Sequence, residues 1–211
     1  TVIVKDKGKC TGVAVRAKGQ QRISDILNAA RAILIEDGYT HFSLRNISGR
    51  AGIHLSNLQY YFAGKDELIH GLMEFIGKEY EHKYEALFHK LPVDGKLRFE
   101  AVLAFLISDI KNPQTRRFFV QLWALLESSN AHSSILLNEL YTIQIAQLNS
   151  LVSAINPDLS IGKVQQRSAM ISAMIEGMML MFDDADVNLS ANEPGIEEEM
   201  QKQIVRIAMD K

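Results

Sequence analysis

Ser43-Leu-Arg-Asn-Ile-Ser-Gly-Arg-Ala-Gly-Ile-His-Leu-Ser-Asn-Leu-Gln-Tyr-Tyr-Phe62 is the stretch that decides the fold of this chain. Ser43 suits a helix N-cap, because its hydroxyl can accept a bond from a free backbone N–H. Leu44, Ile47 and Ala51 follow at helical spacing and share one face. Gly52 then supplies the positive φ, or the close helix approach, that a tight turn needs. Ile53, Leu58 and Phe62 give a second short helix its inward anchors. Leu55, Ser56, Asn57 and Gln59 are left facing outward near its N-terminus. Two short helices broken by Ala51-Gly52-Ile53 form the pattern of a helix-turn-helix, whose second helix enters a DNA groove.

Upstream, Ile23, Ile26, Leu27, Ala30 and Leu34 recur at three- and four-residue steps. They predict a supporting helix from Gln20 that Gly38 stops, since glycine accepts the left-handed conformation after a helix. Residues 1–19 carry Lys5, Lys7, Lys9, Arg16 and Lys18 among Gly8, Gly12 and Gly19, with no helical period. They read as a flexible basic arm, which either reaches phosphates or a minor groove or stays solvated.

Downstream, Gly64-Lys65-Asp66-Glu67 marks a break, and acidic residues in a first turn suit the positive end of a helix dipole. A long helix then runs toward Leu91, where Pro92 stops it. Four further helices are predicted over 96–110, 114–128, 133–155 and 160–183, followed by a polar loop from Asn188 to Gly195 and a last helix over 196–209. Their expected apolar positions include Leu97, Val102, Phe105, Leu106 and Ile110, then Phe118, Leu122 and Leu126, then Leu136, Leu140 and Ile143. No strand alternation or repeat is visible. The fold class is all-α, with an arm (1–19), a three-helix DNA-binding domain (20–65) and a helical body (66–211).

Hydrophobic content of 47% and charged content of 23% are those of an ordinary globular protein. The single cysteine, Cys10, excludes an internal disulfide framework and fits a reducing cytoplasm. No apolar run reaches the roughly 18–20 residues of a membrane span, and Thr1-Val2-Ile3-Val4-Lys5 is too quickly charged for a secretory core, so a cytoplasmic protein is expected. Charge is unevenly placed. Residues 1–65 hold ten Lys/Arg against four Asp/Glu, net +6, and residues 66–211 hold thirteen against twenty-one, net −8. A basic head on an acidic body is what a phosphate-binding module joined to a different domain shows, with chance clustering as the alternative.

At Ser43–Lys65 the sequence resembles the tetracycline-repressor (TetR) family of bacterial regulators. The matching residues are Leu44, Ile47, Ala51-Gly52-Ile53, Asn57-Leu58, Tyr60-Tyr61-Phe62 and Lys65-Asp66-Glu67-Leu68, with Ile23, Ala29-Ala30 and Gly38 in the supporting helix. His54, Ser56 and Gln59 depart from the family's common pattern on the DNA-facing side, which bears on the operator rather than the fold. The resemblance implies a homodimer, a palindromic operator and a small-molecule pocket in the C-terminal domain. It further implies that helices 160–183 and 196–209 supply the dimer interface, and that repression is the commoner mode.

The outward residues Leu55, Ser56, Asn57 and Gln59 are the candidates for base contact, as Asn and Gln can pair with the N6 and N7 edge of adenine. Tyr60, Tyr61 and Lys65 fall where the resemblance implies phosphate contact, and Ser43 and Arg45 begin a helix whose free N–H groups favour a phosphate. Arg50 and Arg22 are weaker candidates, since solvated arginine is the default. In the body, Phe105, Phe119, Trp123, Tyr141, Met170, Met174 and Met178 are candidate pocket lining. Glu127, Glu176, Gln121 and His132 are possible polar anchors. Met170, Met174 and Met178 fit plain core or a dimer seam as well.

The enzymatic alternative is weak. Glu67-x-x-His70 and Glu79-x-x-His82 have a di-iron spacing, but both lie on one segment about 18 Å apart at 1.5 Å per residue. No glycine phosphate loop, metal-ligand pair of cysteines or nucleophile elbow is present. The sequence thus predicts a DNA-binding transcriptional regulator, not an enzyme, with no cofactor and no metal, that answers to a small apolar or amphipathic effector. The runner-up is a helical protein-binding adaptor.

Overall fold

The structure is a computed structural model describing residues 12–128, 133–181 and 195–210. Lys5, Lys7, Lys9 and Cys10 of the arm lie outside the described residues. So do His132, the expected loop from Asn188 to Pro194, positions 182–183 of the eighth helix, and the side chains of Leu136, Leu140 and Ile143. Among the described residues the regular structure is entirely helical. The helices are α1 (Gly12–Glu36), α2 (Leu44–Arg50), α3 (Leu55–Tyr61), α4 (Lys65–Phe88), α5 (Gly95–Ile110), α6 (Pro113–Glu127), α7 (Ser133–Ile155), α8 (Ile161–Met181) and α9 (Ile196–Met209). Helix α1 begins at Gly12, earlier than the expected start at Gln20. Once a helix is nucleated each added residue gains a hydrogen bond at little further cost, and Ala14, Ala17 and Lys18 favour that extension.

The chain forms two compact units, one from residues up to Lys78 together with Gln121–Leu136, the other from Glu79–Val120 with Leu137–Lys211. In the first, α1 turns its stripe of Ile26, Leu27, Ala30, Ile33 and Leu34 inward, where all five are buried. Gly38 (φ 83°) ends it, its N–H and that of Asp37 both donating to Ile33 O at 2.9 Å. A single 3-10 turn, Tyr39–His41, leads to Phe42, which is 3% exposed. Ile47, Leu58, Phe62, Leu68, Ile69 and Leu72 complete this core. The Phe62 ring lies so close to α4 that a Cβ on Gly71 would stand 2.7 Å from Phe62 Cε1.

In the second unit, α5, α8 and α9 pack together. Helix α5 buries Phe99, Val102, Leu103, Ile107 and Ile110, α8 buries Val164, Ile171, Ile175, Met178 and Met179, and α9 buries Ile204 and Ala208. The register on α5 differs from the sequence expectation: Leu97 is 44% exposed, and Phe105 and Leu106 are half-buried. A helix with apolar residues on several faces offers more than one stripe, and the partners on α8 and α9 select which one is buried. The last carbonyls of α9 are capped from elsewhere in the chain. Asn156 Nδ2 donates to Met209 O (3.1 Å) and Asp210 O (3.0 Å), and Arg167 Nη1 donates to Ala208 O (3.3 Å) and to Asp210 O.

Glycine substitutions separate packing from propensity. Gly71→Ala improves helix propensity by about 1 kcal/mol yet drives a methyl into a ring that is 1% exposed, at a cost of about 1–3 kcal/mol. Chemical denaturation is expected to show Gly71→Ala less stable than the parent chain. Gly19→Ala, whose Cβ meets nothing within 4 Å, is expected to be more stable by about 0.5–1 kcal/mol.

Candidate nucleic-acid interface and ligand site

Ser43 is the N-cap of α2: its Oγ accepts from Asn46 N at 3.2 Å. Asn46 Nδ2 in turn donates to His41 O at 2.9 Å, tying the helix to the preceding turn. The Ser43 hydroxyl thus caps the helix as its position in the sequence led one to expect. Helix α2 ends at Arg50, and Gly52 takes φ 65°, the left-handed conformation the turn requires. His54 begins α3 without a side-chain cap bond.

Leu58 (0% exposed) and Phe62 (1%) anchor α3 inward. Their spacing turns Leu55, Ser56, Asn57 and Gln59 outward, and all four are exposed. Tyr60 is 61% exposed, Tyr61 is half-buried, and the two rings meet edge to face at 5.1 Å. Arg45 is exposed on the first turn of α2 and Lys65 on the first turn of α4. All nine residues singled out for DNA thus fall on α2, α3 and their flanks within one compact unit. Arg50 is used differently: its Nη2 lies 2.5 Å from Glu36 Oε2 and 3.7 Å from Asp37 Oδ2, joining the ends of α1 and α2. Arg22 Nη1 stands 3.9 Å from Asp25 Oδ2.

Two braces escaped sequence reasoning. Glu67 Oε2 accepts from Ala63 N at 2.7 Å, which holds the α3–α4 junction. Gln121 Oε1 accepts from Tyr39 N at 2.8 Å, so this α6 side chain grips the turn before α2. No local pattern announces a bond between residues eighty-two positions apart.

The ligand candidates divide between the units. Trp123, half-buried, and Glu127, exposed, belong to the first; Phe105, Phe119, Tyr141, Met170, Met174 and Met178 belong to the second. Phe105 and Phe119 flank the ring of Tyr80, at centroid distances of 6.0 and 6.3 Å. Tyr141 OH donates to Glu176 Oε2 at 3.4 Å and Ser172 Oγ to Glu176 Oε1 at 3.2 Å. Burial pushes the Glu176 carboxyl above its ordinary range, while bonds from Ser172, Tyr141 and Gln144 pull it partly back. Met178 is 2% exposed, Met174 half-buried and Met170 54% exposed. Steps of four residues rotate about 40° past one full turn, so such a series drifts from one face to another. Tyr80 and Tyr84 were missed by sequence reasoning, although an aromatic pair four residues apart on α4 was a readable signal.

Among the described residues no group of three His, Cys, Asp or Glu side chains is placed to hold a metal ion, and no helix is long and apolar enough to cross a membrane. His70 Nε2 stands 3.6 Å from Glu74 Oε1.

A glycine-turned pair of short helices, braced by α1 and α4 and exposing a polar row on the second, defines a helix-turn-helix protein of all-α fold. Residues 26–72 match the family model of bacterial regulatory proteins of the tetR family. Most of the chain shares its fold with solved regulators. The fatty acid degradation regulator FadR from Bacillus halodurans is 14% identical, with TM-score 0.66 over 95% of this chain and 97% of its own. A TetR transcription regulator from Haloarcula marismortui is 13% identical, with TM-score 0.66 over 90% and 97%. A Saccharomonospora viridis protein proposed to be a transcriptional regulator, solved with choline, is 15% identical, with TM-score 0.59 over 88% and 94%. No curated protein sequence is significantly similar to the chain.

Glu176 gives a pH signature. Its carboxyl is raised on folding, so the folded state binds the proton more tightly than the unfolded one. That contribution is fully present below the ordinary value of 4.5 and is lost as pH rises through the folded value. Melting curves of the parent and Glu176→Gln should therefore lie closest near pH 4 and diverge in favour of the variant toward pH 7; a constant offset counts against burial as the cause.

Proposed function

We propose that this protein is a transcriptional repressor that binds a palindromic operator as a homodimer and is released by a small apolar or amphipathic effector in the cytoplasm. The carrying observation is the exposed row Leu55, Ser56, Asn57 and Gln59 on a helix whose opposite side is buried through Leu58. In this reading residues 20–65 bind DNA and residues 66–211 bind the effector and the second copy.

Ser56, Asn57 and Gln59 read base edges, where a good bidentate pair contributes about 1–3 kcal/mol of discrimination. Leu55 offers apolar contact to a thymine methyl. Arg45, Tyr60, Tyr61, Lys65 and the helix start at Ser43 position the phosphates without reading sequence. Phe105, Phe119, Tyr141, Met174 and Met178, all in the second unit, are the proposed surroundings of the effector. The choline-bound relative supports a fold that accepts small molecules.

Dimerisation is assigned to α8 and α9. The outward face of α8 carries Ala169, Met170, Ala173, Gly177, Leu180 and Met181, with Leu180 60% and Met181 51% exposed. An exposed stripe of small and apolar residues favours close packing against a copy of itself. In a dimer the two heads must meet major grooves about 34–36 Å apart or at a related spacing. Helices α4 and α6 each run from one compact unit into the other, and α6 carries both Phe119 and Gln121. An effector that favours a different setting of these helices changes the head spacing and releases the operator, by a coupling of about 1–3 kcal/mol.

Binding to duplex DNA across a salt series tests the interface. Lys65→Ala is expected to weaken association with every sequence and to flatten the log–log salt slope by about 0.9 per lost phosphate contact, whereas Asn57→Ala alters base preference instead. If neither substitution changes DNA binding, the chain is an adaptor rather than a regulator. Sedimentation tests the dimer: a Cβ at Gly177 meets nothing within 4 Å, so the monomer accommodates substitution there. Gly177→Arg is expected to leave helicity intact and to yield monomers that bind DNA weakly.

A further inference from the structure

We propose that Tyr80, Tyr84, Phe105 and Asp109 form a binding site for an organic ammonium cation, now filled by the ammonium of Lys83. This rests on the effector-responsive reading above and gives the effector its chemical class.

Helical spacing builds the site. Tyr80, Lys83 and Tyr84 lie three and four positions apart on α4, and Phe105 and Asp109 lie four apart on α5, so each set shares a face. The ring of Phe105 stands 6.0 Å from Tyr80 and 6.0 Å from Tyr84, with interplanar angles of 65° and 85°. Tyr80 and Tyr84 are 6.2 Å apart. Over this cluster sits a cation: Lys83 Nζ lies 4.8 Å from the Tyr80 centroid and 5.4 Å from that of Phe105. Both distances fall within the roughly 6 Å at which a ring quadrupole attracts an ammonium.

The negative partner is Asp109. The Tyr80 hydroxyl donates to its carboxylate, which enriches the Tyr80 ring in electron density and strengthens its hold on a cation. Among the described residues neither Asp109 nor Lys83 makes an ion pair. Burial, and then the charge of Asp109, push the Tyr84 phenol above its ordinary range, so this ring stays neutral while feeling that charge. Two rings, one of them hydrogen-bonded to a half-buried carboxylate, therefore meet a cation whose own side chain is exposed.

Lysine is a strongly hydrated ammonium and loses rotamer freedom when held. A ligand ammonium bearing methyl groups is less hydrated, brings apolar surface to the rings and takes Lys83's place. Lys83 is thus a built-in competitor, and removing its charge should tighten binding rather than weaken it.

Calorimetry on the full chain with choline chloride, and with its neutral isostere in which carbon replaces the ammonium nitrogen, tests the site. Choline is expected to bind about tenfold or more tightly than the isostere. Lys83→Met should tighten choline severalfold, and Asp109→Asn and Phe105→Leu should each weaken it about tenfold, with circular dichroism confirming that each variant is folded. Equal binding of the two probes, absence of binding, or weaker binding to Lys83→Met overturns the proposal. Operator release is scored separately. If choline binds without moving operator affinity, the cation site stands and effector release falls; if an uncharged compound releases DNA while choline does not bind, the reverse holds.

Discussion

The helix-turn-helix unit depends on the fit of Phe62 against the bare backbone of Gly71. Phe62 is the C-cap of α3, and burying its ring against α4 contributes about 1.5–3 kcal/mol. More than stability follows from it. With Phe62 seated on α4 and Leu58 in the core, the rotation of α3 about its own axis is settled, and with it the outward aim of Ser56, Asn57 and Gln59. A helix of seven residues is too short to hold itself together in water, so its orientation is a property of its anchors.

Polar groups do the corresponding work at the chain's junctions. Ser43 caps α2, Glu67 holds the turn before α4, and Gln121 grips the turn after α1. In the second unit, Asn156 and Arg167 satisfy the carbonyls that end α9. Each answers a backbone group that helix geometry leaves without an intrahelical partner. The effect is to leave the helix ends braced while the exposed face of α3 keeps its side chains for a partner.

Charge is arranged on the same economy. Arg50 is committed to Glu36 and Asp37, whereas Arg45 and Lys65 stand exposed on the first turns of α2 and α4. In the body, Glu176 and Asp109 are carboxylates that accept from hydroxyl donors. Such groups are costly to bury and well suited to meet a positive ligand.

The short helices of the head and the turn between them were legible in the sequence, because their physics is local. Ser43, Gly38 and Gly52 each do what their own chemistry dictates within a few residues, and the spacing of Leu58 and Phe62 names the inward face. Helix limits in the body were readable to within a few residues: α4 ends at Phe88, shortly before Pro92, and α5 and α7 end at Ile110 and Ile155 as expected. Which stripe of each body helix is buried was not readable. On α5 and α8 apolar residues occur on more than one face, and packing against other helices decided for Phe99 over Leu97 and for Met178 over Met170. The meeting of Tyr80 and Phe105, and the reach of Gln121 to Tyr39, join residues distant in the chain. Local spacing carries no record of such pairs, and the tertiary structure alone brings them together.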